Sequence, residues 1–331
     1  MANSLLGRTD SFSLFWTGQA LVGCLLLVHP EGAAQTPPVS SPQGTVPYTL
    51  SVSVNEVEIT FHAADAHNLP VFDLRPDEVD VFDNYHGPGQ IISMRELDGR
   101  SIHAGFIVDT SGSVATQLVR TRAEAQEAVD KLVMTTTDEG TAIAFGRSRR
   151  VVQSWTNQKN SLVRSIGEIG STAHDPIDGT SVYDTLLSTC LYEFGKNVGE
   201  TAANVILLFS DGADTASHET MQAAIDRCRQ NHTAIYAFSP KPVQGTTSSL
   251  GPETLRRLTE QTGGRLFYTD GPNGDIHADL DTVASDLRSE YFLLYRPKTL
   301  DHDGAFHRIV LVGPERVAEI VGTSGFYAPA R

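Results

Sequence analysis

The period of the hydrophobic positions changes twice along the chain, and the two changes divide it into three parts. From Tyr48 the period is two. Leu50, Val52 and Val54 alternate with Ser and Asn, then Val57, Ile59 and Phe61 alternate with Glu, Thr and His, as expected for strands with one buried face. After the break Asp73-Leu74-Arg75-Pro76, residues 78–82 form a further short strand. The turn-rich stretch from Asp83 to Gly89 leads to a strand through Ile91, Ile92 and Met94. No helical stretch is expected to interrupt residues 47–99, which read as a small all-β unit.

Beyond it, strands alternate with helices. Strands are expected at 104–109, 141–145, 151–155, 204–210, 234–238 and 266–268, and helices at 114–134, 161–169, 181–194, 219–230, 252–262 and 275–288. The apolar run 204–210 is the pattern of a central strand buried on both faces. This order predicts an α/β, Rossmann-like domain over 102–290, with a mostly parallel sheet flanked by helices. From 291 to 329 the period returns to two, with strands at 291–296 and 307–312 and a closing short pair at 318–321 and 326–327. These strands are too few to stand alone. They are expected to pack with 47–99 as a sandwich-like part into which the α/β domain is inserted.

The residues before Tyr48 belong to neither pattern. Leu14 to Val28 is mostly apolar and is followed by the small residues Gly32-Ala33-Ala34, so 1–34 reads as a signal peptide and 35–46, rich in Pro and Ser, as a disordered linker. Leu21-Val22-Gly23-Cys24 resembles a bacterial lipobox, although a polar linker does not follow it. Retention as an anchor is the remaining alternative. An exported protein is expected, whether periplasmic, cell-surface or secreted, with membrane contact only if this segment is retained or lipidated. The chain of 331 residues carries a net charge of −15, and no block of Lys and Arg offsets it, which argues against nucleic acid. Of three cysteines, Cys190 and Cys228 fall on predicted helices, so their pairing depends on how those helices lie; two buried free thiols is the preferred reading.

The candidate chemistry lies in three loops of the α/β domain. The first follows the strand ending in Asp109, where Asp109, Ser111 and Ser113 recur at every second position and offer three oxygens to one centre. Oxygen-only ligands suit a hard divalent cation, and a short protein ligand set favours Mg²⁺ over Ca²⁺. The second is Asp178-Gly179-Thr180-Ser181, which brings a hydroxyl to the start of a helix. The third is Ser210-Asp211-Gly212, a carboxylate at the end of the central strand. Ligands of open α/β sheets bind beyond the carboxyl ends of the strands. Asp214 is a candidate for supporting Asp211 from behind, or for capping a helix.

Taken together, these pieces resemble the von Willebrand factor type A domain and its metal-ion-dependent adhesion site, whose pattern is Asp-x-Ser-x-Ser, a later Thr and a later Asp. Asp109, Ser111, Ser113, Thr180 and Asp211 match all five positions. The flanking β unit, Tyr291 to Pro297, Asp303 to Ile309 and Gly325 to Pro329 resemble bacterial exported "VWFA-related" proteins. The resemblance implies Mg²⁺ or Mn²⁺ held by those five residues, with one metal position left for a carboxylate from a protein ligand.

The expected function is therefore divalent-cation-dependent adhesion-type binding. A scaffold or assembly subunit of an envelope complex is the alternative, and a metal-dependent hydrolase ranks below both. No catalytic residue is expected, because the sequence has no nucleophile elbow, P-loop or His-Glu-x-x-His. The histidines read as surface or core residues. Arg147, Arg149 and Arg150 read as an exposed hairpin turn protected by charge.

Overall fold

The computed structural model describes residues 56–97, 99–170, 179–195, 202–241, 250–270, 275–298, 304–322 and 325–328. The expected signal peptide, the linker, the strand through Leu50 to Val54, Asp178 and most of the 301–304 turn lie outside them.

The chain begins with β1 (Val57–Ala64), β2 (Asp80–Asp83) and β3 (Gln90–Glu96), with one 3-10 turn at Pro76–Glu78. The α/β part follows as β4 (Ser101–Asp109), α1 (Leu118–Leu132), β5 (Glu139–Phe145), β6 (Arg149–Thr156), α2 (Lys159–Gly167), α3 (Val182–Tyr192) and β7 (Ala202–Phe209). It continues through α4 (Met221–Gln230), β8 (Thr233–Ser239), α5 (Leu250–Thr262), β9 (Leu266–Tyr268) and α6 (Ile276–Arg288). The chain closes with β10 (Glu290–Arg296), β11 (Phe306–Val312), β12 (Glu319–Gly322) and β13 (Gly325–Tyr327).

The large sheet has the order β6-β5-β4-β7-β8-β9. Its pairs are parallel except β5 with β6, which a short turn joins. Alternate residues of the central strands feed two cores. Phe106, Val108, Val205 and Leu207 pack under α1, α2 and α6. Ile107, Ile143, Ile206 and Leu208 pack under α3, α4 and α5. Burial on both faces explains the unbroken apolar run of β7, whose eight residues are all buried.

The terminal segments do combine. β1 lies between β12 and β10, β10 also pairs with β3, and β11 lies between β13 and β2. Ile59, Phe61, Val81, Tyr291, Leu293 and Ile309 fill the space between these sheets. β3 and β10 are neighbours, and the Leu97 N–H bonds the Glu290 carbonyl. The chain thus leaves for the α/β part and returns from it at adjacent points, which is why the insertion leaves the small sheets continuous.

Three local expectations are corrected. The helix expected over 114–134 opens instead as a 3-10 segment at Gly112–Gln117, and α1 starts only at Leu118. Gly, Ser and Thr are weak helix formers, and the first turn carries several of them. At the other end the buried Asp138 takes the N–H groups of Met134, Thr135 and Ile102, which stops the helix. The closing strands at 318–321 and 326–327 do not pair with each other, because β12 joins β1 and β13 joins β11. Cys190 and Cys228 are not free thiols but a disulfide. α3 and α4 lie side by side on one face of the sheet, with the two Cα atoms 5.1 Å apart, within bonding range.

At the junction of the two parts, His62 of β1 binds Ser289 Oγ through Nδ1 at 2.8 Å and faces Asp286 Oδ1 through Nε2 at 3.2 Å. Tyr236 and Arg265 donate to the other Asp286 oxygen. This Ser-His-Asp row is buried, and the adjoining cavity measures ≈ 30 Å³. The row ties β1 to the end of α6. Burial lowers the pKa of His62, favouring the neutral ring.

Candidate metal centre

β4, β5 and β7 end together, and their loops meet there because the strands are parallel and in register, with Val108 opposite both Ala144 and Phe209. Asp109 is the last residue of β4 and is 0% exposed. Its Oδ1 accepts the Ser111 N–H at 2.8 Å, and its Oδ2 accepts the Ser210 hydroxyl at 2.6 Å. Ser111 Oγ and Ser113 Oγ lie 3.1 Å apart. Ser111 occupies the N-cap position of the 3-10 segment but makes no side-chain cap. Capping therefore does not account for these hydroxyls.

Thr180 is 4% exposed, and among the described residues its hydroxyl takes no hydrogen bond. Its backbone is tied instead to the loop after β7: the Thr180 N–H donates to Thr215 Oγ1 at 2.9 Å, and its carbonyl accepts from Thr215 and Ala216. The preceding Gly179 has φ +121°, a conformation that only glycine adopts without strain, beside the Ala216 side chain. Asp211 Oδ1 accepts the Ala213 N–H at 3.0 Å, which folds the loop back on itself. Gly212 has φ +75° and packs against the backbone of Gly251.

Asp214 does not face this centre through any bond within the described residues. Its carboxylate accepts the Tyr183 N–H at 3.1 Å and the Ser217 hydroxyl at 2.6 Å, so it caps the start of α3 from the neighbouring loop. Asp184 of α3 returns the favour by accepting from the His218 and Glu219 N–H groups. The Arg147 turn also belongs here. Ser181 Oγ reaches the carbonyls of Gly146 and Arg147, and Arg149 pairs with Glu193 and Thr189. The turn braces the Thr180 loop rather than merely guarding a sheet edge.

Sequence reasoning missed Ser210 in this arrangement. Its position beside Asp211, at the end of a strand parallel to β4, was the available signal.

Electrostatics favour a cation at this point. Burial raises the Asp109 pKa, the hydrogen bonds from Ser210 and Ser111 oppose that, and the neighbouring Asp211 charge raises it further. No cationic side chain among the described residues pairs with Asp109. Two carboxylates with three hydroxyls would be a hard, all-oxygen donor set of the kind that suits Mg²⁺ or Mn²⁺. The described residues contain no group of three or more His, Cys, Asp and Glu side chains that could hold a metal, so a site here depends on its hydroxyls.

Solved structures with similar folds include BatB of Bacteroides thetaiotaomicron, at 15% identity and TM-score 0.45, covering 56% of this chain and 98% of that one. A von Willebrand factor type A protein of Catenulispora acidiphila matches at 13% identity and TM-score 0.45, over 76% and 72% of the two chains. Manganese-loaded TRAP of Plasmodium vivax matches at 13% identity and TM-score 0.43, over 67% and 96%. No curated protein matches the chain. The family model of the von Willebrand factor type A domain matches residues 105–277, just over half of the chain, and its span contains all three loops. With the parallel sheet and the loops in place, the chain belongs to the von Willebrand factor type A domain family.

Proposed function

We propose that this chain is an exported protein that binds a protein ligand through a divalent cation held by Asp109, Ser111, Ser113, Thr180 and Asp211. The observation that carries the reading is the buried Asp109 carboxylate, without a cationic partner among the described residues, at the point where the loops bearing the other four residues meet. Uncharged hydroxyl ligands leave the ion short of negative charge, so it would accept a carboxylate presented by the partner. Mg²⁺ is the expected ion and Mn²⁺ its substitute. The Cys190–Cys228 disulfide supports export, since such bonds persist in oxidising compartments. Among the described residues no helix is long and apolar enough to cross a membrane.

The test is titration of the full chain with Mn²⁺, followed by electron paramagnetic resonance, beside Asp109→Ala. Saturable binding is expected in the parent and not in the variant, with unchanged far-ultraviolet circular dichroism. Acetate added to the Mn²⁺ complex should displace ion-bound water and lower the water-proton relaxation enhancement. Equal Mn²⁺ binding by Asp109→Ala would show that the ion sits elsewhere.

A further inference from the structure

We infer that Ser210, which is not one of the five candidate ligands, is a positioning residue that sets the geometry of the metal centre. The inference rests on the metal reading above and concerns how that site is held.

Ser210 is 3% exposed, and its hydroxyl lies between the two loops that carry the carboxylates. An ionised carboxylate only accepts, so the 2.6 Å contact fixes the hydroxyl as donor to Asp109 Oδ2. Ser210 Oγ in turn accepts the Gly212 N–H at 3.0 Å. The bonds therefore run in one direction, from the Gly212 N–H through the Ser210 hydroxyl to Asp109. With Ser111 N–H on Oδ1 and Ser210 on Oδ2, both oxygens are held and the carboxylate cannot rotate. Each oxygen keeps lone-pair capacity for the ion or for a water bound to it.

The far end of this chain is rigid. The Ser210 N–H bonds the Phe238 carbonyl of β8 at 3.2 Å. Gly212, with its left-handed backbone, is wedged against Gly251 and Leu255 of α5. Ser210 thus transmits a fixed position from β8 and α5 to Asp109, and sets the spacing between Asp109 and the Asp211 turn. Outer hydrogen-bond partners of this kind orient metal ligands, and their loss commonly weakens metal binding by about 10–100-fold.

Three variants of the full chain test this by Mn²⁺ titration and by thermal melting in a chelator. Ser210→Ala removes the donor. Ser210→Cys keeps a side chain of similar shape with only a weak donor, and remains informative if the alanine variant does not fold. Ser210→Thr retains the hydroxyl. Mn²⁺ affinity should fall about 10–100-fold in the Ala and Cys variants and return to within about 3-fold of the parent in Thr. The spectrum of bound Mn²⁺ should broaden in the first two, reporting a distorted site. Parent-like Mn²⁺ affinity in a folded Ser210→Cys protein, whatever its melting temperature, would reduce Ser210 to a structural residue and overturn the inference alone. A parent chain without saturable Mn²⁺ binding would overturn the metal reading and this inference together.

Discussion

Opening the Cys190–Cys228 bond should cost this protein a large part of its stability. The bond closes a loop between residues 38 apart in sequence. The loop-closure relation then gives a denatured-state entropy loss of ~13 cal/mol/K, or about 4 kcal/mol at room temperature. Replacing both residues with Ala also removes the packing of two buried sulfurs from the core under α3 and α4. Against the typical folding stability of about 5–15 kcal/mol, that is a major share. The assay is urea unfolding of the oxidised parent and of Cys190→Ala/Cys228→Ala, read by circular dichroism. For a slope of about 2–3 kcal/mol/M, the midpoint should fall by roughly 1–2 M. Thiol titration in denaturant is the companion measurement. The three cysteines of the chain should yield one reactive thiol, Cys24, if the N-terminal segment is retained, and none if it is removed. Two additional reactive thiols in protein purified without reductant, or a stability loss under about 1 kcal/mol, would refute the reasoning.

Two other predictions concern single side chains. Gly212→Ala should destabilise the fold by more than about 2 kcal/mol, because a Cβ there meets the Gly251 carbonyl and Leu255 on a backbone already at φ +75°; a melting temperature equal to the parent's would contradict this. Asp279, in the first turn of α6, has its pKa pushed up to about 6 by burial, by Asp275 and by Glu124. A carboxyl raised above its unfolded value of about 3.9 is protonated more readily in the folded state, so the stability it contributes is lost as pH rises through that interval to the folded value. Asp279→Asn should therefore raise the melting temperature at pH 8 and leave it unchanged near pH 3.5; an equal shift at both would exclude titration as the cause.

Much of this architecture follows from local signals. The buried run 204–210, the alternation around β1 and the alternation of strands with helices in the α/β part required only hydrophobic periodicity, which depends on neighbouring residues. The three loops were readable for the same reason, since each candidate ligand sits directly after a strand or before a helix. Other features turned on groups far apart in sequence. Whether Cys190 meets Cys228 depends on how α3 and α4 lie across the sheet. Ser210 became visible only when β7 was placed beside β4, which puts its hydroxyl against a carboxylate 101 residues away. Asp214 caps α3 as well as accepting from Ser217 in its own loop, and the first of these contacts is one no local rule supplies. The sequence by itself determined the elements, their order and the residue types at the strand ends. The tertiary structure decided which of those residues touch, because contacts between loops depend on strand register and helix packing, which local periodicity leaves open.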